Sequence, residues 1–225
     1  MRSVLAALLL AAACTGDDAA TRPPPGTLIR DGATPTIVRS GDLDGRGSAE
    51  LVVASVSPQT GAFGLPDPYV EVFAERDGAW RRVFDATGTT PPGAPSDAPP
   101  VLEPADPSVA LGQTIEVLEL VDFAADGSSE IVLAVANAGA GGGPVAVWIL
   151  TMPGGAVRAE FLTVTERGGR VSVGEDTVEL EFGVYRRKDP GCCPSLIERQ
   201  TLGWDGEAER VTVVERDRRK VRRST

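Results

Sequence analysis

This sequence predicts an all-β fold of antiparallel blade-like repeats, and three observations predict it. Apolar and polar residues alternate with the period of a strand along much of the chain. From Thr177 to Val184, the side chains of Val178, Leu180, Phe182 and Val184 fall on one face, and Glu179 and Glu181 on the other. Clusters of Gly, Pro and Asp punctuate these runs, and no segment shows a long helical stripe. Finally, one acidic loop occurs twice, 80 residues apart: GDLDGRGSAELVVAS with Asp42, Asp44 and Glu50, and VDFAADGSSEIVLAV with Asp122, Asp126 and Glu130. Self-similarity at a fixed spacing is the signature of a modular architecture.

The chain opens MRSVLAALLLAAAC. Arg2 precedes an apolar run too short to span a bilayer, so residues 1–13 read as a secretory signal peptide, not a membrane helix. The stretch from Leu10 to Cys14 resembles a bacterial lipobox. That resemblance implies lipidation of Cys14 and a protein exported across the cytoplasmic membrane and lipid-anchored in the bacterial cell envelope. The competing reading is an ordinary secreted protein with an incidental cysteine. Residues 14–26 run on as polar, proline-rich chain, the composition of a flexible tether.

The first β unit, residues 27–90, holds the first acidic loop, the strand-like run Leu51–Val56 and a hairpin, YVEVFAERDGAWRRVFD. Residues 91–113 are too rich in proline to join a ladder and read as a linker. In the second unit, residues 114–165, Thr114–Val121 fits helix or strand. The run Ile131–Val135 and the hairpin VAVWILTMPGGAVRAEFLT are strand-like. The third unit, residues 166–215, has the alternating strand, the string DPGCCPS and the hairpin RQTLGWDGEAERVTVV. The three hairpin turns carry Asp77-Gly78, Gly154-Gly155 and Asp205-Gly206, which supply the positive φ of tight turns. One tryptophan accompanies each hairpin, Trp80, Trp148 and Trp204, and packs the sheet. The expectation is about twelve strands in two or three packed sheets: an incomplete β-propeller, or alternatively a β-sandwich or small barrel. Three units are too few for a closed propeller.

The acidic loops resemble the FG-GAP and VCBS-type repeats of integrin-α-like propellers and bacterial surface proteins. The family loop places carboxylates at its first, third and fifth positions, glycine at the sixth and an acidic residue at the ninth. The first copy matches at Asp42, Asp44, Gly47 and Glu50, with Arg46 in the fifth position. The second matches at Asp122, Asp126, Gly127 and Glu130, with Ala124 in the third. The resemblance implies Ca²⁺ as the candidate cofactor, because closely spaced carboxylates on a tight turn supply the oxygen ligands it takes. Each loop lacks one ligand, so binding is expected to be weak, with the second loop the better candidate. The alternative is that the carboxylates accept hydrogen bonds from the turn's own amides. DPGCCPS resembles a DPxCCPS module found at the end of many bacterial secreted proteins, to which no activity attaches. Together the two resemblances span roughly residues 36–215.

Cys192 and Cys193 are adjacent in an exported protein. A vicinal disulfide, a pair of thiols, and a redox or metal role are the open readings. The basic stretch 216–225 reads as a solvated tail, or as a contact for anionic lipid or wall polymer.

A net charge of −10 argues against nucleic acid as a partner. The absence of histidine removes Ser-His-Asp and Cys-His catalysis and histidine metal sites. The expected protein is therefore not an enzyme. It is a cell-envelope lipoprotein, a β scaffold whose partners are the lipid bilayer and an unidentified protein or envelope polymer. A Ca²⁺-dependent adhesion module is the first alternative. A carboxylate-based hydrolase, glycoside-active for example, is the second. It would be favoured by a cleft holding one carboxylate with a raised pKa.

Overall fold

A computed structural model describes residues 27–29, 31–60, 66–87, 113–137, 145–165, 168–190 and 193–221. The signal peptide, Cys14 and the tether lie outside the described residues, as do residues 91–112 of the linker and Cys192.

The described chain is all-β, in three four-stranded antiparallel sheets of consecutive strands, none closed into a barrel. The first holds β1 (Thr34–Gly41), β2 (Glu50–Thr60), β3 (Pro66–Arg76) and β4 (Ala79–Thr87). The second holds β5 (Gln113–Val121), β6 (Glu130–Asn137), β7 (Val145–Thr151) and β8 (Arg158–Val164), with a single 3₁₀ turn at Pro153–Gly155 before β8. The third holds β9 (Arg170–Val173), β10 (Val178–Val184), β11 (Leu196–Asp205) and β12 (Arg210–Lys220). The first sheet falls within the first sequence unit, the second begins one residue before its unit at Gln113, and the third runs past its unit to Lys220; the packing is compatible with blades or with a sandwich.

The second sheet lies in the middle, and its sequence says why. Strands β6 and β7 are continuously apolar, as strands covered on both faces are. Ile131, Leu133 and Val135 pack toward Val52, Val70 and Val72 of the first sheet. Their neighbours Val132 and Ala134, with Val147 and Ile149, pack toward Val178, Leu180 and Leu202 of the third. Trp148 is fully buried in the first of these cores.

The outer faces end differently. Leu51, Val53 and Phe73 of the first sheet are covered by Ile29 and Leu28 from the segment preceding β1. On the far side of β10 and β11, Glu181 accepts hydrogen bonds from Arg199 (3.2 Å) and Arg219 (3.1 Å), all at least partly exposed.

Of the two readings open for Thr114–Val121, the strand is the one formed. Other expectations need correction. The small barrel is not formed. The basic tail expected from residue 216 is strand as far as Lys220. Cross-strand charge holds it there: Arg218 donates to the buried carboxylate of Glu198, and Arg216 reaches it at 3.2 Å. Asp205-Gly206 does not supply positive φ. Glu209 does, at +48°. Asp205 instead accepts the amides of Glu207 (3.0 Å) and Ala208 (3.1 Å), which makes the turn wider than a two-residue hairpin.

The DPGCCPS loop is pinned by Asp189, whose Oδ2 accepts the amides of Arg186 (2.7 Å) and Ser195 (2.9 Å). Cys193 is exposed, and its amide donates to the Pro190 carbonyl at 3.0 Å. With Cys192 outside the described residues, the vicinal pair is seen only on this side.

Candidate functional site

Both acidic loops have the same construction. Each joins the inner edge strand of its sheet to the next strand, β1 to β2 and β5 to β6. In the first, Asp42 accepts the amides of Gly45 (2.8 Å) and Arg46 (3.2 Å) on Oδ1 and of Gly47 (2.6 Å) on Oδ2. In the second, Asp122 accepts the amides of Asp126 (3.1 Å) and Gly127 (2.9 Å). The ninth-position glutamates match as well. Buried Glu50 accepts the Leu43 amide at 2.8 Å, and buried Glu130 the Phe123 amide at 3.2 Å. Gly47 and Gly127 both have positive φ. Gly45 does too, and Ala125, its counterpart 80 residues on, is held at φ +55°.

The third and fifth positions separate the loops. Asp42, Asp44 and Glu50 can bring one oxygen each within 4.8 Å of one another, the one such acidic group among the described residues. The second loop was the better Ca²⁺ candidate from sequence, yet its carboxylates do not converge in this way, because Ala124 stands where the first loop has Asp44. Asp126 is instead engaged by Ser128, whose amide (2.9 Å) and hydroxyl (2.7 Å) both donate to it and hold its pKa below the usual carboxylate range. In the first loop the cluster already has cations. Arg46 lies 3.5 Å and Arg76 3.9 Å from Asp44 Oδ2. Arg76 passes under the Gly154–Gly155 turn, where a Cβ on Gly155 would lie 2.3 Å from its guanidinium.

The two loops touch. The Ser129 amide donates to the Asp42 carbonyl at 2.7 Å, and three residues before each loop Arg39 and Glu119 form a two-pronged ion pair at 2.6 and 2.5 Å. The third sheet closes on the same place. The Val211 amide donates to Glu160 at 2.8 Å. The three units thereby enclose an open cleft of about 690 Å³, lined by Asp44, Asp126, Glu130, Glu160 and Trp204 among others. Arg158, Arg210 and Glu209 also line it.

Burial pushes the Glu130 carboxyl up to about 7, helped by the charges of Glu160 and Asp126 and opposed by the Phe123 amide. Glu50 shifts upward for the same first reason, burial, with Asp44 and Asp42 adding repulsion. Sequence reasoning found both loops but missed Glu160, Arg158, Arg210 and the role of Trp204. No local motif marks them; they are neighbours only once the sheets pack.

No protein-family model and no curated protein matches the chain. No helix among the described residues is long and apolar enough to cross a membrane.

Proposed function

We propose that this chain is a non-enzymatic lipoprotein of the bacterial cell envelope, lipid-anchored through Cys14, whose three-sheet body is a binding scaffold. The observation that carries the scaffold reading is the use to which the loops are put. Asp42 and Asp122 are spent on their own turn amides, and the two loops are joined by the Ser129–Asp42 hydrogen bond. The carboxylates shape the two turns, and the backbone of the turns so shaped makes the junction between sheets.

Glu130 meets one condition of the hydrolase alternative, a raised carboxyl in a cleft. However, Glu50 makes the equivalent amide contact and shifts in the same direction in the other repeat. The shift therefore belongs to the buried ninth position of the loop, which favours structure over catalysis. A second reading, Ca²⁺-dependent adhesion, draws on the Asp42, Asp44 and Glu50 cluster.

Metabolic labelling with a palmitate analogue tests the anchor. Label and membrane fractionation should both be lost in Cys14→Ser, and an unlabelled wild-type chain would refute lipidation. Thermal unfolding in EDTA and in millimolar Ca²⁺ tests the second reading. The wild type should be unmoved, because Arg46 and Arg76 already face Asp44. Arg46→Asp, which restores the family's fifth carboxylate, should gain a Ca²⁺-dependent rise of several degrees. Turnover of aryl glycosides that disappears in Glu130→Gln would overturn the non-enzymatic reading.

A further inference from the structure

The third sheet is charged unevenly along its length. At one end the β11–β12 turn closes on the cleft, which Trp204, Glu209 and Arg210 line beside the acidic loops. At the other end Val184, Leu196 and Lys220 stand in register, so the β10–β11 loop and the end of β12 lie together. Hydrogen bonds tie them. The Val221 amide donates to the Ser195 carbonyl at 3.1 Å, and Asp189 accepts the amides of Arg186 and Ser195. Strand β12 spans 11 residues between the two ends, a length of about 33 Å. Residues 185–190 and 216–221 carry seven Lys and Arg against two carboxylates, in a chain whose net charge is −10. The facing strands add Glu198, which pairs with Arg216 and Arg218, and Glu181, which pairs with Arg219 and Arg199. Positive charge stays in excess. Arg186, Arg187, Lys188 and Lys220 are exposed, and among the described residues Arg187, Lys188 and Lys220 form no ion pair. Val221 beside them leaves an apolar side chain exposed.

We propose that this basic end of the third sheet docks on anionic phospholipid headgroups and turns the acidic cleft away from the membrane. Which membrane it meets rests on the envelope-lipoprotein reading; the surface itself works without the anchor. Charge complementarity selects the partner. A Lys or Arg near an anionic bilayer strengthens binding about fivefold. The acidic remainder of the body is repelled by the same bilayer, so one orientation is favoured. Arg216 and Arg218 keep more than half of their side chains exposed while paired with Glu198, so the strand that presents them is fixed before contact. Reach favours lipid over a distant polymer: the thirteen residues 14–26 span at most about 45 Å from Cys14.

Vesicle cosedimentation tests the surface with the full chain carrying Cys14→Ser, which cannot be acylated. Vesicles of phosphatidylcholine alone report any binding by the apolar residues 1–13, and equimolar phosphatidylcholine and phosphatidylglycerol add the negative charge. The anionic vesicles should bind more tightly by about tenfold or more, and about 0.5 M salt should remove the difference. Lys188→Glu combined with Lys220→Glu should weaken binding to anionic vesicles by about tenfold or more. Arg210→Glu, at the cleft end of the same strand, should leave it unchanged. All three side chains are exposed, so the substitutions leave the fold alone. The proposal fails if neutral and anionic vesicles bind alike, if the double variant binds like wild type, or if Arg210→Glu weakens binding as much as the double variant does. Soluble polyphosphate that binds while anionic vesicles do not would assign the surface to a polymer and overturn the proposal as well. No arm of the experiment depends on acylation, so failure of the anchor and failure of the surface are separately visible.

Discussion

At the scale of single residues, two positions show what the repeat imposes on its sequence. Ala125 occupies the left-handed conformation that Gly45 occupies in the first loop, at φ +55° against +71°. A side chain there costs about 1–2 kcal/mol, of which glycine's own flexibility returns a part. Ala125→Gly should therefore raise the stability of the chain by about 0.5–1 kcal/mol. Urea denaturation would show this as a higher midpoint at unchanged slope; a lower midpoint would mean that the loop hydrogen bonds do not enforce that conformation. Glu130 makes the second case. Its carboxyl is raised to about 7 in the folded chain from an ordinary value of 4.5. The folded state thus holds its proton more tightly than the unfolded one. This group's contribution is fully present below pH 4.5 and is lost as pH rises through about 7. Glu130→Gln should flatten that part of the stability–pH curve and leave the variant more stable than wild type at pH 8, by about 1–2 kcal/mol once solvent screening in the open cleft is allowed for. An unchanged curve would place the carboxyl's titration outside that window.

At the scale of elements, the strands most legible in the sequence are those with apolar alternation or an apolar run. Examples are β10, with Val178 and Leu180 buried opposite exposed Glu179, and β7, buried on both faces. The strands that sequence reasoning passed over lack that signal. β1, TPTIVRSG, has only Ile37 and Val38 as large apolar residues, and β9 is four residues long. Beyond residue 216, β12 has no apolar residue at all. It is recruited by Glu198, which lies on the facing strand and is buried among its partners. Burial opposes the ionisation of Glu198, but the hydrogen bonds from Gln200 and Arg218 and the charges of Arg218 and Arg216 outweigh it and hold the carboxyl below its ordinary range. Pairing of this kind is invisible to any local pattern. The DPGCCPS loop, legible as a string, gains a structural meaning from its neighbour: a Cβ on Gly183 of β10 would lie 2.7 Å from the Pro194 ring. Gly183→Ala should cost about 1–3 kcal/mol by overpacking. Proteolysis within residues 186–195 should accelerate in the same variant; resistance equal to wild type would show that Pro194 is free to retreat.

At the scale of the whole molecule, the sequence disclosed the three units and the all-β class, while the cleft stayed hidden. The acidic loops could be read because their carboxylates fall within nine residues of one another. Glu130 and Glu160 are 30 positions apart, and the Val211 amide that holds Glu160 comes from another sheet. The second sheet's central place makes it the element on which the rest depends. Removing Trp148, fully buried between the first and second sheets, should cost about 3–5 kcal/mol in Trp148→Ala. Both cores should be lost in one cooperative transition, followed by tryptophan fluorescence and far-ultraviolet circular dichroism together. Two separated transitions would mean that the third sheet stands without the first. The consecutive strand order within every sheet has one more consequence. A chain exported N-terminus first, as proposed, lets each sheet pair its strands from neighbouring sequence as soon as it emerges, with little delay from loop closure. The first sheet nevertheless waits with Val52, Val70 and Val72 uncovered until the second arrives. The vulnerable interval in the birth of this protein is therefore the time taken for the proline-rich stretch between them to emerge.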